Sequence, residues 1–104
     1  MVVMKKNILC VGDVFGPKGV DVAVQNISLL KQNQHIDFIV VNIENAALGG
    51  KGPSDYAIVK LSKVGVDVFT GGNHSFFGKN ILSLYSENKN LLRPCNFPFG
   101  SPGF

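Results

Sequence analysis

The chain has 104 residues, of which 45% are hydrophobic and 16% are charged. This composition excludes an intrinsically disordered segment, because such segments combine low hydrophobicity with high net charge, and the length has room for one domain. The net charge of +3 comes from dispersed lysines and a single arginine. The sequence lacks the dense basic cluster that is typical of dedicated nucleic-acid binding.

The cysteines and the N-terminus indicate a cellular location. Cys10 and Cys95 form neither a Cys-x-x-Cys metal pair nor a disulfide framework, and reduced thiols are typical of the cytosol. The apolar run that follows Lys5 and Lys6 is interrupted at Asp13, which makes it too short for a signal peptide or a membrane span. We therefore expect a soluble cytoplasmic protein with no membrane partner.

The first third of the chain predicts a strand and then a helix. The apolar run within Asn7–Val14 is typical of a strand that is buried on both faces, and it ends at Gly12-Asp13. Gly16, Pro17 and Gly19 predict a loop. Helical spacing of apolar residues begins at Val20 and continues through Ala23, Val24, Ile27 and Leu30.

The middle third repeats this order. Asp37–Val41 predicts a second buried strand, and the polar residues of Asn42–Asn45 and a glycine-rich loop, Ala46–Gly52, follow it. Ser54 is suited to cap a helix, and Gly65 is suited to end it. The predicted apolar face of this helix consists of Ala57, Ile58, Leu61 and Val64.

The last third predicts a third strand over Val66–Thr70 and a third helix over Lys79–Glu87, with Leu91 and Leu92 as the start of a fourth strand. A loop rich in proline continues to Phe104. Because strands and helices alternate with short connections, we predict an α/β fold in which right-handed βαβ units form a parallel sheet.

Polar side chains follow all three predicted strands: Asp13, then Glu44 and Asn45, then Asn73 and His74. The carboxyl ends of parallel strands meet at one edge of the sheet, which is where such folds bind ligands. Oxygen ligands suit Mg²⁺ and Mn²⁺, and imidazole extends the range to iron or zinc. Two cations about 3.5–4 Å apart, bridged by one carboxylate, would clamp a phosphate ester.

Each of these residues also has a structural explanation. Asp13 alone suits a turn or a helix cap as well as a metal, and Asn73-His74 alone suits a turn. Glu44 is harder to explain in this way, because a carboxylate directly after a buried strand is costly unless something pairs with it. His35 lies among polar residues and is expected to be a solvated loop residue.

Several blocks together resemble the YmdB-like branch of the calcineurin-type metallophosphoesterases over nearly the whole chain. They are Gly12-Asp13, Asn42–Ala47, Gly49–Gly52, Gly65–Val68, Gly72–His74, and Leu92–Pro94 with Asn96. The resemblance implies half of an α/β/β/α sandwich and a phosphodiesterase that uses two divalent or transition-metal ions, such as iron, manganese or magnesium. The implied substrate is a 2′,3′-cyclic nucleotide, converted to the 3′-phosphate.

The resemblance also implies a role for each residue. Asp13 would bind the first metal, Glu44 would bridge both metals, and Asn45 and Asn73 would bind the second. His74 would donate a proton to the leaving oxygen.

The chain also departs from the family pattern. Ser75-Phe76-Phe77 stands where the family usually has Thr-Trp-Asp, and no histidine follows His74, although the family supplies three further histidine ligands. We therefore expect residues 1–104 to be the N-terminal part of a single metallophosphoesterase domain, truncated, with little or no activity alone. Its open surfaces would favour homo-oligomers or aggregation.

Two other interpretations stay open. The loop Gly12–Gly19 could hold phosphate in a non-catalytic, Rossmann-like nucleotide-binding module, although its glycines read G-x-x-x-G-x-x-G and not G-x-G-x-x-G. The chain could also be an inactive fragment with an interaction or regulatory role.

Overall fold

The computed structural model describes all 104 residues and contains three strands that alternate with three helices. The elements are β1 (Ile8–Val11), α1 (Gly16–Asn33), β2 (Phe38–Asn42), α2 (Asp55–Lys63), β3 (Val68–Thr70) and α3 (Ile81–Glu87). The strands form one sheet in the order β1-β2-β3, and both neighbouring pairs are parallel. The predicted α/β class with a parallel sheet is therefore confirmed.

One face of the sheet is covered by helices. Ile39 and Val41 of β2 and Phe69 of β3 are buried and belong to one hydrophobic cluster with residues of all three helices. The helical members are Val20 and Ile27 of α1, Ala57, Ile58 and Leu61 of α2, and Tyr85 of α3. The helical spacing seen in the sequence thus gives each of the first two helices an apolar face against the sheet.

The opposite face of the sheet is open. Partner residues in neighbouring strands share a face, and the pairs Ile8–Phe38 and Cys10–Val40 point away from the helical layer. Ile8 is 60% exposed and Phe38 is 39% exposed. The prediction that the first strand is buried on both faces is wrong, because no second layer covers this face.

The predicted bounds of α2 are confirmed, whereas α1 begins earlier than predicted. The Ser54 hydroxyl accepts a hydrogen bond from the Ala57 amide at 3.1 Å, and Gly65 follows the helix with a φ of 103°, as predicted. Helix α1 starts at Gly16, four residues before the predicted start, with Pro17 in its first turn. Proline suits that position because its missing N–H would have no partner there.

The third unit is shorter than predicted. Strand β3 begins at Val68, and helix α3 begins at Ile81. In place of a fourth strand, Leu91 makes a single parallel bridge to Phe69. Cys10 and Cys95 are free and exposed, which agrees with the prediction of unpaired thiols, although Cys10 lies on the open face and not in a buried strand. None of the helices has the length and apolar character needed to cross a membrane.

Candidate active site at the carboxyl edge of the sheet

The loops that follow the three strands are tied together by main-chain hydrogen bonds. The amides of Val14 and Gly16 donate to the carbonyl oxygens of Asn42 and Asn45, at 3.2 and 2.9 Å, and the Ile43 amide donates to the Thr70 carbonyl at 3.1 Å. These bonds continue the parallel ladder past the ends of the strands. They hold the predicted site residues on one edge.

The side chains of Asp13, Asn45 and His74 form a chain of hydrogen bonds. The Asn45 amide nitrogen donates to Asp13 Oδ2 at 2.9 Å, and the Asn45 amide oxygen lies 2.6 Å from His74 Nδ1. The Asn45 oxygen can only accept a hydrogen bond, so the imidazole of His74 donates to it from Nδ1. Asn45 therefore links one residue from each of the two other loops.

Glu44 lies beside this chain with its charge poorly compensated. Its side chain is only 17% exposed, and its carboxylate contacts the His74 amide at 3.4 Å and His74 Nδ1 at 3.8 Å. No lysine or arginine pairs with it. Burying a carboxylate without a strong partner is costly, so the environment of Glu44 fits a bound cation.

Two glycines after β3 make room for these groups. A Cβ added at Gly72 would overlap the Glu44 carboxylate, and a Cβ added at Gly71 would overlap the Ser75 hydroxyl. Ser75 is fully buried, and its hydroxyl accepts from the Gly72 amide at 2.9 Å and donates to the Gly72 carbonyl at 2.8 Å. The loop is thus a compact turn that brings His74 against Glu44.

Asn73 stands apart from the other predicted ligands. It is exposed, and its side-chain contact is with His74 Nε2 at 3.4 Å. No three side chains of His, Cys, Asp or Glu form a metal-ligand group by themselves. The structure therefore brings together Asp13, Glu44, Asn45 and His74 and places Asn73 at the margin.

Asn42 is a positioning residue that sequence reasoning missed. Its side-chain oxygen accepts from the Glu44 amide at 3.1 Å, and its side-chain nitrogen donates to the Gly71 carbonyl at 3.2 Å. The amide thus links the loop that carries Glu44 to the loop that carries His74. The available signal was an asparagine at the end of an otherwise apolar strand.

The loop Gly12–Gly19 has few amides left for a phosphate. The amides of Val14, Gly16 and Gly19 already donate to carbonyl oxygens of the chain, and Pro17 has no N–H. A phosphate site at a helix start depends on free amides that point at the ligand. This geometry counts against the Rossmann-like interpretation.

Comparison with known proteins identifies the family. The family model described as YmdB-like protein matches residues 9–104. The chain belongs to the YmdB-like family. A curated relative from Bacillus subtilis (strain 168), named 2′,3′-cyclic-nucleotide 2′-phosphodiesterase, is 40% identical over 96 residues, which are 92% of this chain and 36% of the relative.

Two solved structures have the same fold over nearly all of this chain. A crystal structure of a phosphatase from Mycoplasma pneumoniae matches with a TM-score of 0.82 and 34% identity, covering 97% of this chain and 37% of that one. A Thermus thermophilus protein described as hypothetical matches with a TM-score of 0.79 and 32% identity, covering 92% of this chain and 36% of that one. The chain therefore spans about a third of the length of the relatives it matches.

Proposed function

We propose that this chain carries part of the active site of a metal-dependent phosphodiesterase that converts 2′,3′-cyclic nucleotides to 3′-phosphates. The observation that supports this proposal is the hydrogen-bonded chain from Asp13 through Asn45 to His74, next to the Glu44 carboxylate, which no lysine or arginine pairs with. The Bacillus subtilis relative, named 2′,3′-cyclic-nucleotide 2′-phosphodiesterase, supports the substrate class.

The metal ligands in this proposal are Asp13, Glu44 and Asn45, together with Asn73, whose side chain would have to leave its contact with His74 Nε2. Their carboxylate and amide oxygens suit magnesium or manganese, and iron is compatible with a site that includes a nearby imidazole. When bound, such cations polarise the phosphate and activate a water for attack. Four ligand residues fit one cation better than two, because most of the coordination positions of a pair would lack protein donors.

His74 is the proton donor in this proposal. The hydrogen bond from Nδ1 to Asn45 fixes the ring, so Nε2 is the atom that can hold and deliver a proton. As the oxygen of water forms its bond to phosphorus, the bond from phosphorus to the 2′ oxygen breaks, and His74 protonates that oxygen. One proton of the water stays on the new phosphate hydroxyl and the other passes to solvent. The phosphate stays on the 3′ oxygen.

Calorimetric titration with Mn²⁺ tests the metal site. We expect the wild-type chain to bind Mn²⁺ and Glu44→Ala to lose the binding. Glu87→Ala is the matched control, because Glu87 is the only other glutamate and is exposed at the end of α3. Equal binding by wild type and Glu44→Ala, or no binding by wild type, would contradict the proposal.

The activity of the isolated chain is a separate prediction. Since the chain supplies too few donors for two cations, we expect little or no hydrolysis of 2′,3′-cyclic AMP with Mn²⁺ added. Rapid hydrolysis that Glu44→Ala abolishes would show that one cation is enough. That result would refute the predicted inactivity and would be consistent with the proposed reaction.

A further inference from the structure

Phe77 is an exposed aromatic side chain next to the proposed proton donor. It is 54% exposed, and its ring centroid lies 6.3 Å from that of His74, with the rings at 72°. Its neighbour Phe76 points the other way and packs against Tyr85 and Phe97, with centroid distances of 5.1 Å. The loop therefore anchors itself through Phe76 and presents Phe77 to solvent.

The position of Phe77 is fixed by its main chain. Its amide donates to the His74 carbonyl at 3.0 Å. Its carbonyl oxygen lies so close to Gly52 that a Cβ there would overlap it. The ring thus projects from a turn that is held on both sides, and a preorganised ring loses little entropy when a ligand binds.

A positive charge accompanies the exposed ring. The Lys51 ammonium nitrogen lies 5.6 Å from the Phe77 ring centroid, within the range of a cation–π contact. Lys51 belongs to the glycine-rich loop that follows Glu44 and Asn45. An aromatic ring and a cation beside the proposed proton donor match a ligand that carries a planar base and an anionic phosphate.

Phe77 also forms one wall of an open cleft of about 530 Å³ between the start of α2 and helix α3. This volume lies within the usual range for small-molecule sites. Lys79 and Asn80 line the same cleft, which Lys51 does not line, and the Asn80 side chain makes no capping hydrogen bond to helix α3. A free amide there can pair with the edge of a base.

We propose that Phe77 and Lys51 form a subsite that stacks the nucleobase of the substrate. The proposal rests on the function proposed above. The base and the 2′,3′-phosphate of a nucleotide are attached to the same ribose. When the phosphate binds at the metal ligands, the base can therefore reach the Phe77 ring next to His74. Stacking tolerates every base, so the subsite selects nucleotides over base-free phosphates without strong preference among bases.

Titration of the 104-residue chain with adenosine, followed by NMR, tests the subsite without using the phosphate site. We expect adenosine to shift the ring protons of Phe77 and the amide signals of Lys51 and Asn80. Phe77→Ala should weaken binding roughly tenfold, the effect of losing one base–aromatic stack. Phe77→Leu, which keeps apolar bulk without a π-face, should weaken binding similarly, and Phe77→Tyr should retain it.

Phe38→Ala is the matched control, because Phe38 is a partly exposed phenylalanine at the opposite edge of the sheet. It should bind adenosine as wild type does. Equal adenosine binding by wild type, Phe77→Ala and Phe77→Leu would overturn the subsite, and so would adenosine shifts that leave the signals around Phe77 unchanged.

A second titration separates the subsite from the proposed function. Glycerol 1,2-cyclic phosphate with Mn²⁺ carries the cyclic phosphate but no base, so its binding should depend on Glu44 and not on Phe77. Loss of its binding in Phe77→Ala would overturn the assignment of Phe77 to the base. If Glu44→Ala leaves the binding of glycerol 1,2-cyclic phosphate unchanged while adenosine still stacks on Phe77, the proposed metal site alone is overturned.

Discussion

The two faces of the sheet have opposite surroundings although the same three strands form both. On the covered face, Val41 and Phe69 are fully buried among helical side chains. On the open face, Ile8, Phe38 and Cys10 are exposed apolar or sulfur-containing residues. The covered face therefore supplies most of the folding free energy, whereas the open face carries an apolar surface that a further layer could cover.

Truncation of a large side chain on the covered face should have the largest effect. Phe69→Ala leaves a cavity in the cluster and should lower the free energy of unfolding by about 3–5 kcal/mol. Phe38→Ala on the open face should cost about 1 kcal/mol or less, because Phe38 is already partly solvated. Urea unfolding followed by circular dichroism measures both. Equal losses would show that the open face is covered in solution.

Gly72→Ala tests the close packing of the candidate site at the carboxyl edge of the sheet. The added methyl group would overlap the Glu44 carboxylate, so we expect a loss of about 1–3 kcal/mol in unfolding free energy. Weaker Mn²⁺ binding should accompany this loss. Gly12→Ala is the matched control, because a Cβ there meets no atom within 4 Å. A Gly72→Ala variant with wild-type stability and Mn²⁺ binding would refute the close packing.

Ile8→Lys should change association more than stability. Lysine on the open face of an edge strand opposes pairing between chains, while folding stability should change by about 0.5 kcal/mol or less. Sedimentation velocity over a concentration series should show association of wild type and less association of Ile8→Lys. Val59→Lys, on the exposed surface of α2, should associate as wild type does. A wild-type monomer at all concentrations would contradict this prediction.

Asp37→Asn should have the smallest effect, and only a pH series reveals it. The hydrogen bond from the Asn7 amide, and then the nearby His35, lower the pKa of Asp37 below its ordinary value. A lowered pKa in the folded state contributes stability above the unfolded value, and this stability is lost as pH falls through the folded pKa. The substitution should therefore reduce the acid dependence of the urea midpoint below pH 4. An unchanged acid dependence would exclude this contribution.

Local signals explain which parts of the fold were predictable. Ser54 and Gly65 mark the start and the end of helix α2, because a cap hydroxyl and a left-handed glycine act on the residues next to them. Gly16 and Pro17 indicated a loop, although proline is equally suited to the first turn of a helix. The apolar run in β1 correctly indicated a strand. It could not indicate how many layers cover the strand, since that depends on residues far away in sequence.

The candidate site was predictable to the extent that topology determines it. Parallel strands bring their carboxyl ends together, so the convergence of Asp13, Glu44 and His74 follows from the predicted sheet. The bridging role of Asn42 depends on side-chain torsion angles and on close packing. Sequence spacing carries no information on either. The marginal position of Asn73 was missed for the same reason.

The buried hydroxyl of Ser75 has a consequence for hydrogen exchange. The Gly72 amide donates to this hydroxyl, so it should exchange slowly with deuterium although it lies in a loop. The neighbouring Asn73 amide has no partner within the chain and should exchange quickly. Slow exchange of the Gly72 amide in the free chain would therefore report that the turn that presents His74 is intact, before any ligand is added.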